Sequence, residues 1–458
     1  MKEYDIIVIG SGCGQIVAYE AAEHHWHTAL IDRGPTGGTC LNVGCVPSKM
    51  LIASADRVLD IKRSEKLGIK ASVEEIDFGF IMERMRKAVA RDRDALDSDL
   101  RKSKTIDFYP GETRFAGDHT LEYQEETFKA KTIVIASGSR PSIPDISGIE
   151  RIRYLTNENL LSLKERPGSL VIIGGSYIAA EYGHFFAALG TKVTMLEMGN
   201  RLIPSEEPEI SDLLYKSLSQ RMSIHLNTVA VSIAKDDKGI DILALDSKSK
   251  TERHYRAQEI LLAAGRTSNA DTLALEKTGV KINPRGYIAV NSYMRTNKRG
   301  IFAIGDANGI QMFTHVVNSE AGVVEGNILH GSRIKMDFSA APHAIFTHPQ
   351  IASVGLSEAA AKSQHKILVG RANYFDTAGG EAIAETDGFA KVVVEKTTGK
   401  ILGFHIIGPQ APILIQEITN AMALHLTVDD VSSGLHIHPA LSELILNTLS
   451  NLEEPKTK

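Results

Sequence analysis

Cysteine is almost missing from this chain: 458 residues hold three. That count excludes a disulfide framework, and a reducing compartment, the cytoplasm, is the expectation. No stretch approaches the roughly 18 apolar residues of a membrane span. An excess of positive charge is absent too. The net charge of −5 gives no ground for nucleic acid or an anionic membrane as partner. The opening MKEYDIIVIGSGCG lacks a signal-peptide pattern, so the chain is expected to start on a structured strand. What is present is ordinary for a globular protein: 43% hydrophobic and 23% charged residues. The length suits roughly three domains at about 150 residues each.

The first 33 residues change type in order. YDIIVIG reads as a buried strand, GQIVAYEAAEHH as a helix, and HTALID as a second strand ending in Asp32. The pattern returns downstream as SLVIIGG, SYIAAEYGHFFAALG and KVTMLE, ending in Glu197. The two units begin 164 residues apart, Gly174 against Gly10, which points to a duplicated dinucleotide-binding plan. A polar helix is expected near residues 79–103 and strand–glycine turns at TIVIASGSRP, EILLAAGRTSNA and GIFAIGDANG. After about residue 340 a hairpin and an amphipathic helix mark a last domain, and the tail EEPKTK reads as frayed.

In the first unit Gly10, Gly12 and Gly14 allow a tight turn and close approach of a pyrophosphate to backbone N–H groups. Gln15 replaces the third fingerprint glycine, and Gly14 is expected to relieve part of the resulting crowding. Asp32 is placed to accept from a ribose 2′-OH. In the second unit Ser176 replaces the middle glycine and Ala179 the third. Glu197 would repel a 2′-phosphate, so NAD is preferred over NADP. Asp306 ends a strand, where a carboxylate can hold a ribitol or ribose hydroxyl.

Cys40 and Cys45 sit in GGTCLNVGCVPSKM. A C-x4-C pair is at most half a zinc site, and no further ligands have suitable spacing. A staple would close only a tiny loop. Inert packing and a redox pair remain. Pro47 can open a helix, and a helix N-terminus with Lys49 nearby lowers a thiol pKa.

GGTCLNVGCVPSK resembles the redox-active signature of the flavoprotein pyridine nucleotide–disulfide oxidoreductases. The likeness covers nearly the whole chain, through both fingerprints, ASGSRP, AAGRTSNA, GIFAIGDA and HIHPALSE. The resemblance implies an α/β protein with two Rossmann-like dinucleotide-binding domains plus a C-terminal α+β dimerisation domain. The expected division is 1–145 and 269–338 for FAD, 146–268 for NAD(P), and 339–458 for dimerisation. FAD contacts fall on Gly10, Gly12, Gly14, Asp32, Gly38, Thr39, Lys49, Gly138, Asp306 and His315. NAD contacts fall on Gly174, Ser176, Ile178, Glu181, Glu197 and Gly265. No metal is expected.

In the family, Cys40 matches the thiol that exchanges with substrate and Cys45 the thiol that faces the flavin. Glu181 matches the ion-pair partner of Lys49. His438, held by Glu443, matches a proton carrier supplied across a homodimer. His436 is assigned to local structure, His315 and Glu320 to packing at the flavin, and Cys13 to the turn. The implied reaction moves two electrons between NAD and a dithiol or disulfide, either a small molecule or a lipoyl domain. Cys40-L-N-V-G-Cys45 and Glu197 resemble dihydrolipoamide dehydrogenases, which also serve in 2-oxoacid dehydrogenase complexes. S-G-C-G-Q, GRTSNA and THVVNSEAG resemble mycothione reductase-like members. A mercuric reductase-like or quinone-reducing flavoprotein is the more distant alternative.

Overall fold

The first apolar run forms β1 (Lys2–Ile9), followed by α1 (Gly14–Glu23) and β2 (Thr28–Asp32). The structure is a computed structural model that describes residues 1–455. β1 lies inside a seven-stranded sheet, parallel to β2 on one side and to strand Glu126–Ile135 on the other. Ile6, Ile7 and Val8 are fully buried, so β1 reads as a continuous apolar run rather than an alternation. Strand Ile301–Ala303 joins the same sheet beside Glu126–Ile135, although 165 residues lie between the two strands in sequence.

Between the two nucleotide units run α2 (Gly38–Val43), α3 (Cys45–Arg63) and α4 (Phe78–Lys102). The α4 bounds match the polar stretch expected near 79–103, and Asp77 caps it by accepting from the Phe80 N–H at 2.8 Å. The second unit is a four-stranded parallel sheet in which Ser169–Ile173 pairs with Lys192–Leu196 and Glu259–Leu262. Its helices are α5 (Tyr177–Ala188) and α6 (Pro208–Leu218). The repeat is exact at the turn. Gly10 and Gly174 both take positive φ, and a Cβ there would lie 2.2 and 2.3 Å from the carbonyl oxygens of Ala136 and Ala263.

α7 (Thr314–Leu329) packs against α1 and returns the chain to the first unit. From Pro342 the chain forms a six-stranded antiparallel sheet, covered by helices Ala411–Ala423 and Glu443–Ser450. The tail departs from its expectation at one end. Leu452–Glu453 adds an edge strand to Ile367–Asn373, and Glu454 pairs with Lys396. Lys456, Thr457 and Lys458 lie outside the described residues. No helix among the described residues is long and apolar enough to cross a membrane.

Candidate active site

A cavity of about 1190 Å³ runs from the first glycine turn to the cysteine pair. Gly10, Gly12, Asp32, Gly38, Thr39, Gly138 and Asp306 line it, as do Cys40, Cys45, Lys49, Ile178 and Glu181. Gly14 does the packing work that Gln15 leaves undone. A Cβ on Gly14 would fall 2.8 Å from Ala136 Cβ and 2.9 Å from Val8 Cγ1. Gln15 instead presents its side chain to the cavity, where Oε1 is buried without a hydrogen-bond partner. Ser137 Oγ and Asn42 Oδ1 are buried cavity atoms of the same kind.

The Cys40–Cys45 segment is helical on both sides of Gly44. Cys40 lies within α2, Gly44 breaks the chain direction, and Cys45 is the first residue of α3. Pro47 therefore stands at the third helical position, where an amide hydrogen has no intrahelical acceptor and its loss costs little. Ser48 Oγ donates to the Gly44 carbonyl at 2.7 Å and steadies this first turn. All three cysteines are free thiols. Cys45 Sγ is 3.6 Å from Thr314 Oγ1 on α7. The two thiols interact and are moved in opposite directions. The neighbouring Cys45 thiol lowers the Cys40 thiol to about 6, while the Cys45 thiol is pushed up. Lys49 draws Cys45 the other way. The pair therefore releases one proton below the ordinary thiol range and holds the second. Cys13 also reaches the cavity, and burial pushes its thiol up to about 11, which fits a packed turn residue.

Lys49 and Glu181 meet as expected. Lys49 Nζ donates to both carboxylate oxygens at 2.9 and 2.8 Å and lies 4.6 Å from the centre of the Phe346 ring. The Phe346 N–H adds a third bond to Glu181 at 2.9 Å. This ion pair joins α3, α5 and the C-terminal domain beside the thiols.

Asp32 accepts from the N–H and the hydroxyl of Ser11, each at 2.5 Å, and from the Gly34 N–H at 2.8 Å. Asp306 accepts from the Ser139 hydroxyl and lies 3.4 Å from Arg266 Nε. Arg266 in turn donates to Ser139 Oγ at 2.6 Å and to its carbonyl at 2.9 Å. Ser139 and Arg266 escaped the sequence reading, although both sit in the motifs ASGSR and AAGR. Tyr177 escaped it as well: it lines the cavity from the first turn of α5.

Other expected residues stand apart from the cavity. His315 does not line it; its Nε2 is 2.7 Å from the Pro342 carbonyl, and Thr314 and Val317 face the cavity in its place. The helix periodicity explains this: the wall takes Thr314, Val317 and Asn318, a stripe at i, i+3 and i+4, and His315 lies off its edge. Glu320 packs rather than faces out. It accepts from the Gly305 N–H at 2.6 Å, and burial pushes its carboxyl up to about 7. Gly174, Ser176, Glu197 and Gly265 are outside the cavity, at the turn of the second unit. Glu197 accepts from the Gly199 N–H at 2.5 Å and packs against Gly175.

His438 and Glu443 are not brought to the thiols within one chain. His438 Nδ1 bonds Glu443 Oε1, and that imidazole is 72% exposed. Glu443 also accepts from the N–H groups of Ala440 at 3.1 Å and Gly379 at 3.3 Å. The His438 bond first, then these donors, hold its carboxyl below the usual range. His436 pairs with Glu417 at 2.6 Å, in keeping with local structure.

Residues 4–321 match the family described as pyridine nucleotide-disulphide oxidoreductase, and residues 341–448 match its dimerisation domain. The chain is 35% identical to mycothione reductase of Mycobacterium tuberculosis, over 99% of this chain and all of that protein. It is equally, 35%, identical to dihydrolipoyl dehydrogenase of Chlamydia trachomatis, over 97% and 95%. Mercuric reductase of Staphylococcus aureus is 32% identical, over 96% of this chain and 81% of that one. Among solved structures, the HOCl-induced flavoprotein disulfide reductase RclA from Escherichia coli superposes with a TM-score of 0.85 at 26% identity, over 98% and 99%. These proteins share binding of FAD and a pyridine nucleotide as a family property. The chain belongs to the pyridine nucleotide–disulfide oxidoreductase family.

Proposed function

We propose that this enzyme moves two electrons between NAD(H) and a dithiol or disulfide through Cys40 and Cys45, with dihydrolipoyl groups as the lead substrate. The observation that carries the reading is the pairing of both thiols with the Lys49–Glu181 ion pair at the wall of one long cavity. The cavity fits FAD. The α1 N-terminus and the Gly10–Gly14 turn suit its diphosphate, and Asp32 and Asp306 suit hydroxyls. Gln15 Oε1, Ser137 Oγ and Asn42 Oδ1 are buried atoms that a polar ligand would satisfy. Bound there, FAD supplies the two-electron exchange between the thiol pair and the nicotinamide.

The chain's own residues then divide the work. In the oxidising direction a substrate thiolate attacks Cys40 Sγ of the Cys40–Cys45 disulfide. The S–S bond breaks and Cys45 leaves as a thiolate. The second substrate thiolate attacks the mixed disulfide, releasing Cys40 and the oxidised product. The partner subunit's His438 takes the substrate proton, its Nδ1–H fixed on a carboxylate so that Nε2 is the base. Exposed Leu435 and Ile437 beside His438 support a homodimer that covers this face. Glu197 supports NAD over NADP, because Arg201 is already held by Asp212 at 3.4 Å. The ladder of Ser139–Pro141 with Arg266–Ser268 supports a division near 145 and 268, because it ties the chain together close to both of those positions. Thiol exchange of this kind suits the cytoplasm.

The similarity to mycothione reductase favours a second reading, reduction of a low-molecular-weight disulfide. Purified enzyme assayed with NAD⁺ and dihydrolipoamide, against NADH or NADPH with low-molecular-weight disulfides, separates the two. Turnover of dihydrolipoamide supports the lead. Rapid reduction of another disulfide with no lipoamide turnover replaces it. Co-purification with an acyltransferase would add membership of a 2-oxoacid dehydrogenase complex.

A further inference from the structure

α1 and α7 meet twice. Near the cavity, Cys13 Sγ lies 3.9 Å from the Thr314 carbonyl oxygen. At the far ends, His24 is the C-cap of α1 and His330 the C-cap of α7, with ring centres 4.9 Å apart, edge to face. Glu20, one turn before His24, completes a cluster. One donor atom from each of Glu20, His24 and His330 lies within 4.8 Å of the other two. None of these residues lines the cavity.

We propose that Glu20, His24 and His330 bind a divalent transition-metal ion, Zn²⁺ foremost, and that the ion clips the C-terminal ends of α1 and α7 together. The donor set is right for such an ion: two imidazoles and a carboxylate are borderline ligands, better matched to Zn²⁺ than to Mg²⁺ or Ca²⁺. His24 Nδ1 is 2.9 Å from the Glu20 carbonyl oxygen. Donation there leaves Nε2 with its lone pair, the way metal-binding imidazoles are commonly held.

The electrostatics also call for a cation. Two helix C-termini converge, each with the negative end of its dipole, and neither last turn contains a basic residue. Among the described residues, the one ion-pair partner of Glu20 is His24, at 3.6 Å. The contrast with the other carboxylate cluster of this chain is direct. Glu207, Glu209 and Glu358 also converge, but Lys391 Nζ sits among them at 2.7, 2.8 and 2.7 Å. That cluster holds its own cation; among the described residues, no lysine or arginine pairs with Glu20.

The test is calorimetric titration of Zn²⁺ into the holoenzyme with its thiols alkylated, so that cysteine cannot compete. One equivalent is expected to bind, and His330→Ala and Glu20→Gln are each expected to weaken it by at least about tenfold. Cu²⁺ in the same protein should show nitrogen coupling from two imidazoles by electron paramagnetic resonance, falling to one in His330→Ala. Glu20→Gln preserves shape, so it keeps the test open if His330→Ala fails to fold. No Zn²⁺ binding at millimolar concentration, or variants that bind as well as the parent chain, would overturn the proposal.

Discussion

At the scale of single residues, the two sulfurs are unlike because of where the backbone puts them. Cys45 starts a helix and feels the Lys49 charge, and Cys40 sits on the short helix before it, where the neighbouring thiol lowers its own. With the Cys40 thiol lowered to about 6, its thiolate form grows as pH rises through that value and is lost below it. Alkylation of the reduced enzyme by iodoacetamide should therefore reach half its plateau rate near pH 6; a midpoint near the ordinary thiol value of about 8.5 would contradict this. Cys45→Ser should cut dithiol/disulfide turnover by roughly three orders of magnitude or more, as loss of a nucleophile's partner does. Steady-state rates of the variant check it, and near-normal turnover would refute the thiol relay. Lys49→Met leaves the Glu181 carboxylate, 5% exposed, without its cation. Because Lys49 is one-third exposed, the expected loss is about 1–3 kcal/mol. Denaturant melts of Lys49→Met, Glu181→Gln and the double variant measure it, and the double variant should recover part of the loss.

Helices and strands explain how these residues meet. α3 delivers Cys45 and Lys49, α5 delivers Glu181, and both start at the cavity. Gly14→Ala would drive a Cβ into Ala136 and Val8 and lift α1 from its sheet. A cost of about 1–3 kcal/mol is expected from such overpacking. It should appear as a lower melting temperature and less FAD retained per chain. Unchanged values on both counts would show that α1 has slack. The elements were legible in the sequence where period and glycine position agreed: β1, α1, β2 and their repeat. The thiol segment was less so. Six residues, 38–43, are too few to show helical periodicity, and a proline pointed two residues past the true helix start. His315 was misplaced relative to the cavity because only the phase of α7 decides which of its residues face in. Ser139 and Arg266 lie 127 residues apart, and nothing in the sequence announces their bond to each other.

At the scale of the whole molecule, one chain brings the thiols to the long cavity but leaves His438 exposed, with Glu443 behind it, away from that cavity. The proposed homodimer would supply it from a second copy, and a mixing experiment checks this. Cys45→Ser and His438→Ala should each be nearly inactive alone. Refolded together, they form mixed dimers in which one site has an intact thiol pair and the other chain's intact histidine, so activity should return. No recovery would mean that His438 does not act across subunits. The most direct test of the central claim is the fate of the thiols on reduction. The oxidised holoenzyme is given one equivalent of NADH without oxygen, quenched with an alkylating agent and mapped by mass spectrometry. The account predicts that Cys40 and Cys45 change together from protected to alkylated while Cys13 does not change. Electrons that enter the protein and leave Cys40 and Cys45 unchanged would contradict it.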